Sequence, residues 1–281
     1  MNPTRISTLA LLALCAPVLG QEQSFLSRAH AQLSAEANTG YYFRGLLQQD
    51  KTPVLQNSLE LGYDLANVRG VAAQPFVGLW NSFSTKALAT RQAGGTWDPW
   101  YELDLYAGLQ LSTETVTFRG TFTTYGSPAR AFAEFDDVTL SLAWTPKAVP
   151  IADVLAPTLT YACETRGAAD GQRRGSYLEI GLQPTFDLGK IALRPTRIAV
   201  PIAAGFSLGR YFESASGGND ERFGFFDVGV ELSADLYRVA KRGLSTVTLG
   251  VHRLELGDNA ASYNGGDRGE WLASLGITLK F

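Results

Sequence analysis

The clearest structural pattern in the sequence runs from Tyr101 to Ser112 and reads YELDLYAGLQLS. Apolar and polar residues alternate through all of it with a period of two, which indicates a β-strand with two different faces. Helical periodicity is almost absent here and in the rest of the chain. The apolar face carries Tyr101, Leu103, Leu105, Ala107, Leu109 and Leu111, and the other face carries Glu102, Asp104, Tyr106, Gly108, Gln110 and Ser112.

The following segment, 116–123, repeats the alternation after a tight connection at Thr113-Glu114. The two segments therefore predict a β-hairpin. A two-residue turn at Thr113-Glu114 pairs Asp104 with Thr123, so that polar residues face polar ones along the whole hairpin. A slip by one residue would set the charges against the apolar face.

The same rhythm predicts an all-β chain of about twelve antiparallel strands. An even number of strands with short turns at one end and long loops at the other is typical of bacterial outer-membrane barrels. The connection 187–197 is the exception, because it is too long for a short turn. The predicted strands lie near 29–45, 52–64, 74–84, 99–112, 115–125, 132–145, 153–164, 174–186, 198–209, 222–236, 243–256 and 269–281.

The first twenty residues form a segment distinct from the rest of the chain. Arg5 supplies a positive charge, 6–14 is apolar, and Val18-Leu19-Gly20 ends the segment, as in a secretory signal peptide. The apolar part is too short to span a membrane as a helix, and no later segment reaches the length that would. We expect residues 1–20 to be a signal peptide and residues 21–281 to form one barrel domain.

The composition argues against nucleic-acid binding and against an internal disulfide. The formal net charge is −3 and the isoelectric point is about 5.5, so the chain has no basic footprint for nucleic acid. After removal of the signal only Cys163 remains, and no internal disulfide can form. The spacing of acidic residues fits no known calcium loop, and we expect neither a metal nor another cofactor.

Alternation alone does not say whether the apolar face points into a soluble core or out into lipid. Two observations favour lipid. The polar faces combine carboxylates with Gly and Ser, which suit a crowded interior, and aromatic residues gather near the strand ends, where membrane boundaries lie. The predicted aromatic girdle comprises Tyr41, Phe43, Trp100, Tyr101, Trp144, Phe226 and Trp271.

The last strand gives a third observation. Ser274, Gly276, Leu279 and Phe281 stand in the order polar, glycine, apolar, aromatic, and the chain stops at Phe281. This order resembles the terminal signal that the outer-membrane barrel assembly machinery reads. The sequence therefore predicts a transmembrane up-and-down antiparallel β-barrel in the outer membrane of a Gram-negative-type bacterium, with membrane lipids and that machinery as partners.

Three stretches resemble the TorF-type family of bacterial porins. They are TGYYFRG at 39–45, KTPVLQ at 51–56 and ELDLYAG at 102–108, and they lie within a region of about a quarter of the chain. It implies an outer-membrane pore. The family resemblance identifies neither a transported solute nor a transport mechanism.

The predicted lumen is rich in carboxylates, so we expect a channel for small solutes that favours cations. A filled, non-conducting barrel in which Arg-carboxylate pairs plug the lumen is the main alternative. An outer-membrane lipid hydrolase is a third, but His252 lacks a nearby Ser-Asn pattern, so we expect no enzyme. The predicted lumen residues are Arg44, Glu102, Asp104, Arg119, Asp227 and Glu231.

Overall fold

The computed structural model describes residues 27–49, 52–65, 67–84, 99–146, 154–236 and 243–281. The predicted signal peptide lies outside them. No helix in these ranges is long and apolar enough to cross a membrane. The elements are β1 Ala29–Asn38, β2 Tyr41–Phe43, β3 Leu46–Gln49, β4 Val54–Tyr63, β5 Ala72–Ser84, β6 Trp100–Ser112, β7 Val116–Gly126, β8 Phe135–Trp144, β9 Thr158–Arg166, β10 Ser176–Leu182, β11 Thr185–Ile191, β12 Arg194–Ala199, β13 Ile202–Gly209, β14 Phe223–Asp235, β15 Leu244–Leu256, α1 Asp258–Ser262 and β16 Gly269–Lys280.

Twelve strands form a closed antiparallel barrel, as predicted. They are β1, β4 to β10 and β13 to β16. Each strand pairs with its neighbours around the wall, and β1 pairs with β16 to close it. The last residue takes part in the closure, because Phe281 and Ala31 exchange two backbone hydrogen bonds. Closure leaves no unpaired edge in the wall, which a bilayer requires because it offers the backbone no hydrogen bonds.

The alternation of the sequence sorts the side chains onto the two surfaces of the wall. Leu105 is 54% exposed on the outside, whereas Glu102 and Asp104 on the same strand are buried inside. The same holds around the barrel, and the exposed outer face is apolar. Its members include Leu33, Leu55, Leu109, Phe118, Phe122, Leu140, Leu159, Ile180, Val230, Leu249 and Leu275.

The β6–β7 hairpin forms, but its predicted register was wrong by two residues. Asp104 pairs with Tyr125 rather than Thr123. The backbone of Thr113 pairs with Val116, so the two turn residues are Glu114 and Thr115, and the Thr113 hydroxyl accepts from the backbone amide of Val116 at 3.0 Å. Because the shift is an even number, every side chain keeps its predicted face.

The connection that was too long for a short turn is itself a hairpin. Strands β11 and β12 continue the barrel strands β10 and β13 past the end of the wall, and β12 still pairs with β14. Ala192 and Leu193 form its tip with positive φ angles of 49° and 66°. Both residues of a type I′ turn have positive φ, and such turns match the twist of paired strands.

The segments 39–49, 127–134, 167–175, 210–222 and 257–268 meet at one end of the barrel, which we call the loop end. The other end, with the N-terminal end of β1 and the C-terminal end of β16, is the turn end. The first predicted strand, 29–45, was too long. Strand β1 stops at Asn38, and the chain then turns into the barrel to form the β2–β3 hairpin.

Candidate functional site

The β2–β3 hairpin occupies the interior of the loop half of the barrel. Its tip is a two-residue turn in which Arg44 has a φ of 49° and Gly45 a φ of 82°. Glycine fits this place for a second reason, since a Cβ on Gly45 would lie 2.6 Å from the ring of Phe225 on the wall. Leu46, the first residue after the turn, is 1% exposed. The hairpin is therefore packed tightly against the wall rather than lying loosely in the opening.

Arg44 fixes the tip of the hairpin to the opposite wall. Its Nη1 lies 2.8 Å from Oδ2 of Asp137 and donates to the Tyr211 hydroxyl at 3.1 Å. Its Nη2 donates to the Thr139 hydroxyl at 3.0 Å. The guanidinium also lies over the ring of Tyr177, with 5.2 Å between Cζ and the ring centre. These contacts satisfy a charge that would otherwise be costly to bury.

The two strands of the hairpin are held along their length. Tyr41 packs on Trp80 with 5.3 Å between ring centres. The Tyr101 hydroxyl donates to Oε1 of Gln48 at 2.8 Å, and Nε2 of Gln49 donates to the Ser82 hydroxyl at 3.3 Å. The interior of the loop half is thus filled by aromatic rings and amide groups.

These contacts correct part of the predicted aromatic girdle. Tyr41 and Phe43 lie in the hairpin and contact interior residues, and Tyr101 faces inward because the β5–β6 register shifts beside it. Trp100, on the other side of that irregularity, is exposed on the outer surface. The remaining residues assigned to the girdle, Trp144, Phe226 and Trp271, are also exposed, with Trp144 at the turn end and the other two nearer the loop end.

The loops 167–175, 210–222 and 257–268 cover the hairpin at the loop end. Phe212 and Ala260 are fully buried where the loops meet, and α1 lies in the third of them. The Tyr263 hydroxyl donates to the backbone carbonyl of Glu213 at 2.9 Å, and the backbone amide of Glu213 donates to the carboxylate of Asp170 at 3.3 Å. Burial raises the pKa of the Asp170 carboxyl to about 6.

Beneath the hairpin lies a cavity of about 430 Å³. Four of its lining side chains are carboxylates, namely Glu36, Glu179, Asp227 and Glu231, and two are cationic or can become so, namely Arg44 and His252. Even with both cations charged, the carboxylates outnumber them by two. A cavity with this balance inside a low-dielectric wall attracts positive charge.

His252 is held between two of these carboxylates. Its Nδ1 lies 3.0 Å from Asp227 and its Nε2 lies 3.4 Å from Glu231. Both ring nitrogens therefore face carboxylate oxygens. A general base needs one ring nitrogen free to take a proton from a nucleophile, and this arrangement does not offer one.

The turn half of the lumen contains a second arginine-carboxylate pair. Arg119 on β7 reaches along the wall to Glu60 on β4, with 3.2 Å and 2.6 Å between the two pairs of atoms. Its guanidinium lies 3.5 Å above the centre of the Phe76 ring. The Phe76 ring packs against Gly108, where a Cβ would lie 2.4 Å from the ring.

The structure separates the predicted lumen residues into three groups. Arg44, Glu102 and Asp104 lie in the loop half with the hairpin, Asp227 and Glu231 line the cavity beneath it, and Arg119 lies nearer the turn end. Among the residues that the structure describes, Oε2 of Glu102 and Oδ1 of Asp104 are buried and have no hydrogen-bond partner. In the part of the chain that is described, no group of three or more His, Cys, Asp or Glu side chains could hold a metal ion.

The barrel is similar in fold to solved outer-membrane proteins. An outer-membrane channel from Pseudomonas putida F1 is 13% identical, with 90% of this chain and 95% of that chain covered and a TM-score of 0.51. The β domain of the Bordetella autotransporter BrkA is 11% identical over 90% and 98% of the two chains, with a TM-score of 0.45. The NanC porin is 12% identical over 89% and 98%, with a TM-score of 0.42.

The similarity to the Pseudomonas putida channel supports the barrel fold. No family model matches the sequence, and no curated protein matches it. The resemblance to TorF-type porins is therefore not confirmed and stays a prediction, whereas the twelve-stranded barrel is confirmed.

Proposed function

We propose that this chain is an outer-membrane channel that passes small solutes and prefers cations. The observation that carries the proposal is the cavity beneath the hairpin, where carboxylates outnumber cations inside a closed barrel with an apolar outer face. In this proposal the loop end faces the outside of the cell and the turn end faces the periplasm, as in barrels with short periplasmic turns.

In this proposal the β2–β3 hairpin is the constriction of the channel. It lies across the lumen, and Arg44 is its contact with Asp137 on the far wall. Solutes pass when the hairpin moves away from this position, because it occupies the part of the lumen that they would cross. The carboxylates below then determine which charge enters, since they lie on the path from the hairpin to the turn end.

Planar-bilayer recording under a salt gradient tests the cation preference. The wild-type barrel should conduct with a reversal potential on the cation side. Glu231→Gln removes one cavity carboxylate and should move the reversal potential towards zero. Glu114→Gln is the matched control, because Glu114 is exposed in the β6–β7 turn, and it should leave the reversal potential near that of the wild type. An anion-side potential would overturn the proposal.

A second candidate function is a closed barrel with a structural or adhesive role. The contacts of Arg44 favour it, since they hold the hairpin in the lumen by an ion pair whose carboxylate is fully buried. The same recording separates the two candidates. Folded protein that stays silent at every voltage would support the closed barrel and exclude the channel.

The last strand is proposed to be the recognition signal for barrel assembly. Leu279 and Phe281 face outward, and Phe281 is exposed at the seam where β16 meets β1. Deleting Phe281 should lower the yield of folded barrel in the outer membrane, while Phe281→Tyr should retain it because the aromatic ring remains. Equal yields of all three proteins would contradict this role.

A further inference from the structure

The outer surface of the barrel carries a cavity at the loop end, outside the lumen. It has a volume of about 620 Å³ and lies where β9, β10 and β13 end. Three arginines line it, namely Arg173, Arg174 and Arg210, together with Tyr161 and Cys163. A concentration of arginines on a chain of net charge −3 shows that positive charge is gathered at this place.

Strand parity places this cavity on the lipid side of the wall. Cys163, which lines the cavity, follows Leu159 on β9 by four residues, and Leu159 is 43% exposed on the outer face. Arg174 and Arg210 lie just beyond the ends of β10 and β13, whose outward residues Ile180 and Leu208 are 51% and 56% exposed. An even separation along a strand keeps side chains on one face. The arginines therefore stand directly above an apolar surface that also includes Leu159.

A close backbone contact brings Arg174 and Arg210 together. Ser176 pairs with Gly209 across β10 and β13. Next to this pair, a Cβ on Gly175 would lie 2.5 Å from the carbonyl oxygen of Arg210, so only glycine lets the two chains approach this closely. The contact fixes the two arginines as neighbours at the rim.

Arg174 and Arg210 keep most of their donors available. Nη1 of Arg174 donates to the carbonyl oxygen of Thr165 at 2.9 Å, which positions the guanidinium. Among the described residues, neither arginine forms an ion pair with a carboxylate. Arg173 differs, since it pairs with Glu213.

One carboxylate, that of Glu164, lines the cavity. It is turned towards backbone amides, accepting from Ala169 at 2.6 Å and from Gly175 at 2.7 Å. Its charge is thus partly compensated by these donors, whereas Arg174 and Arg210 are exposed at the cavity.

We propose that this cavity binds the phosphate group of an anionic lipid in the outer leaflet, with Arg174 and Arg210 as its ligands. Guanidinium groups bind phosphate oxygens through paired, charge-assisted hydrogen bonds. The apolar face around Ile180 and Leu208 receives the acyl chains of the same molecule. A lipid fits the site better than a free anion, because the charged cavity and the apolar surface are continuous.

Binding of bisphosphorylated lipid A to the folded protein in detergent, followed by native mass spectrometry, tests the proposal. The double variant Arg174→Gln, Arg210→Gln should bind it at least about tenfold more weakly, since two charge-assisted contacts are lost. Arg130→Gln is the matched control. Arg130 is exposed at the same end and has a φ of 55°, close to the 61° of Arg210, so its replacement carries the same backbone effect without touching the cavity.

Two further probes distinguish the source of the phosphate. Dephosphorylated lipid A should bind the wild type as weakly as lipid A binds the double variant. Inorganic phosphate should not displace the lipid at equal concentration. Equal binding by the double variant and the wild type would overturn the proposal, as would full displacement by inorganic phosphate, which would identify a free-anion site. Conductance enters none of these readouts, so the outcome is independent of the channel proposal.

Discussion

Nη1 of Arg44 lies 2.8 Å from Oδ2 of Asp137, and the Asp137 side chain has no exposed surface. This pair joins the tip of the inward hairpin to the wall strand β8. The Tyr125 hydroxyl donates to the same Asp137 oxygen at 3.2 Å, so the carboxylate serves both the wall and the hairpin. This buried charge pair therefore holds the tip of the hairpin at the wall.

Removing one partner of this pair should release the hairpin. Arg44→Gln leaves the Asp137 carboxylate buried without a countercharge, which costs about 3–5 kcal/mol in comparable buried pairs. We expect a lower urea midpoint of unfolding and a larger open probability in bilayer recordings. Arg130→Gln, at an exposed arginine that also has a positive φ, should change neither. An Arg44→Gln barrel with wild-type stability and gating would show that the pair does not hold the hairpin.

The pair of Arg119 and Glu60 should control selectivity in opposite directions. Glu60→Gln leaves Arg119 as an unbalanced positive charge in the turn half of the lumen, so the reversal potential should move towards the anion side. Arg119→Gln leaves Glu60 unbalanced and should move it further to the cation side. Shifts of the same sign in both variants would mean that this pair lies off the conducting path.

The packing of the loops should depend on pH through Asp170. Burial raises the pKa of this carboxyl to about 6 in the docked loop, above the pKa of about 3.9 expected when the loop is undocked. A raised pKa means that the docked state prefers the protonated form, so this contribution to docking is complete below about pH 4 and is lost as the pH rises through about 6. Amide exchange in 210–222, corrected for intrinsic rates, should be slower near pH 5 than near pH 8.

Asp170→Asn supplies the control for that measurement. The amide side chain keeps the size of the carboxyl and does not ionise, so the pH dependence of exchange in 210–222 should become flat. A pH dependence that persists unchanged in Asp170→Asn would assign it to another group.

Two glycines on paired strands should differ sharply in their tolerance of a methyl group. A Cβ on Gly108 would lie 2.1 Å from the carbonyl oxygen of Gly120 and 2.4 Å from the Phe76 ring, whereas a Cβ on Gly120 would meet Leu140 at an ordinary 3.5 Å. Gly108→Ala should therefore lower stability by about 1–3 kcal/mol, the usual cost of overpacking. Heat-modifiable mobility on gels measures this, and Gly120→Ala should stay close to wild type.

The wall could be predicted from the sequence because a single physical rule governs it. Apolar and polar side chains must alternate along a strand that lies between lipid and lumen. The face of residues such as Leu105 and Glu102 can therefore be predicted from their positions in the sequence. The β6–β7 register was harder to predict. Shifts by two residues preserve the alternation, and only the backbone pairing of Thr113 with Val116 fixes the turn.

The hairpin in the lumen could not be predicted by that rule. Tyr41-Tyr42-Phe43 consists of residue types that favour strands, so the prediction extended the first strand through it. The available signal was the Arg44-Gly45 step between two short runs, which suits a tight turn with positive φ. The inward position of Tyr101 also escaped prediction, because it depends on a local register shift between β5 and β6.

The most direct test of the channel proposal ties the hairpin to the wall. In a Cys163→Ser background, cysteines at Gln49 and Ser82 can be joined by a short bis-methanethiosulfonate linker, since these side chains are 3.3 Å apart. Bilayer recording should show a closed barrel with the linker in place and conductance with a cation-side reversal potential after reduction. The single-cysteine variants should conduct under both conditions. The same conductance before and after reduction, or silence in both states, would contradict a channel that the hairpin closes.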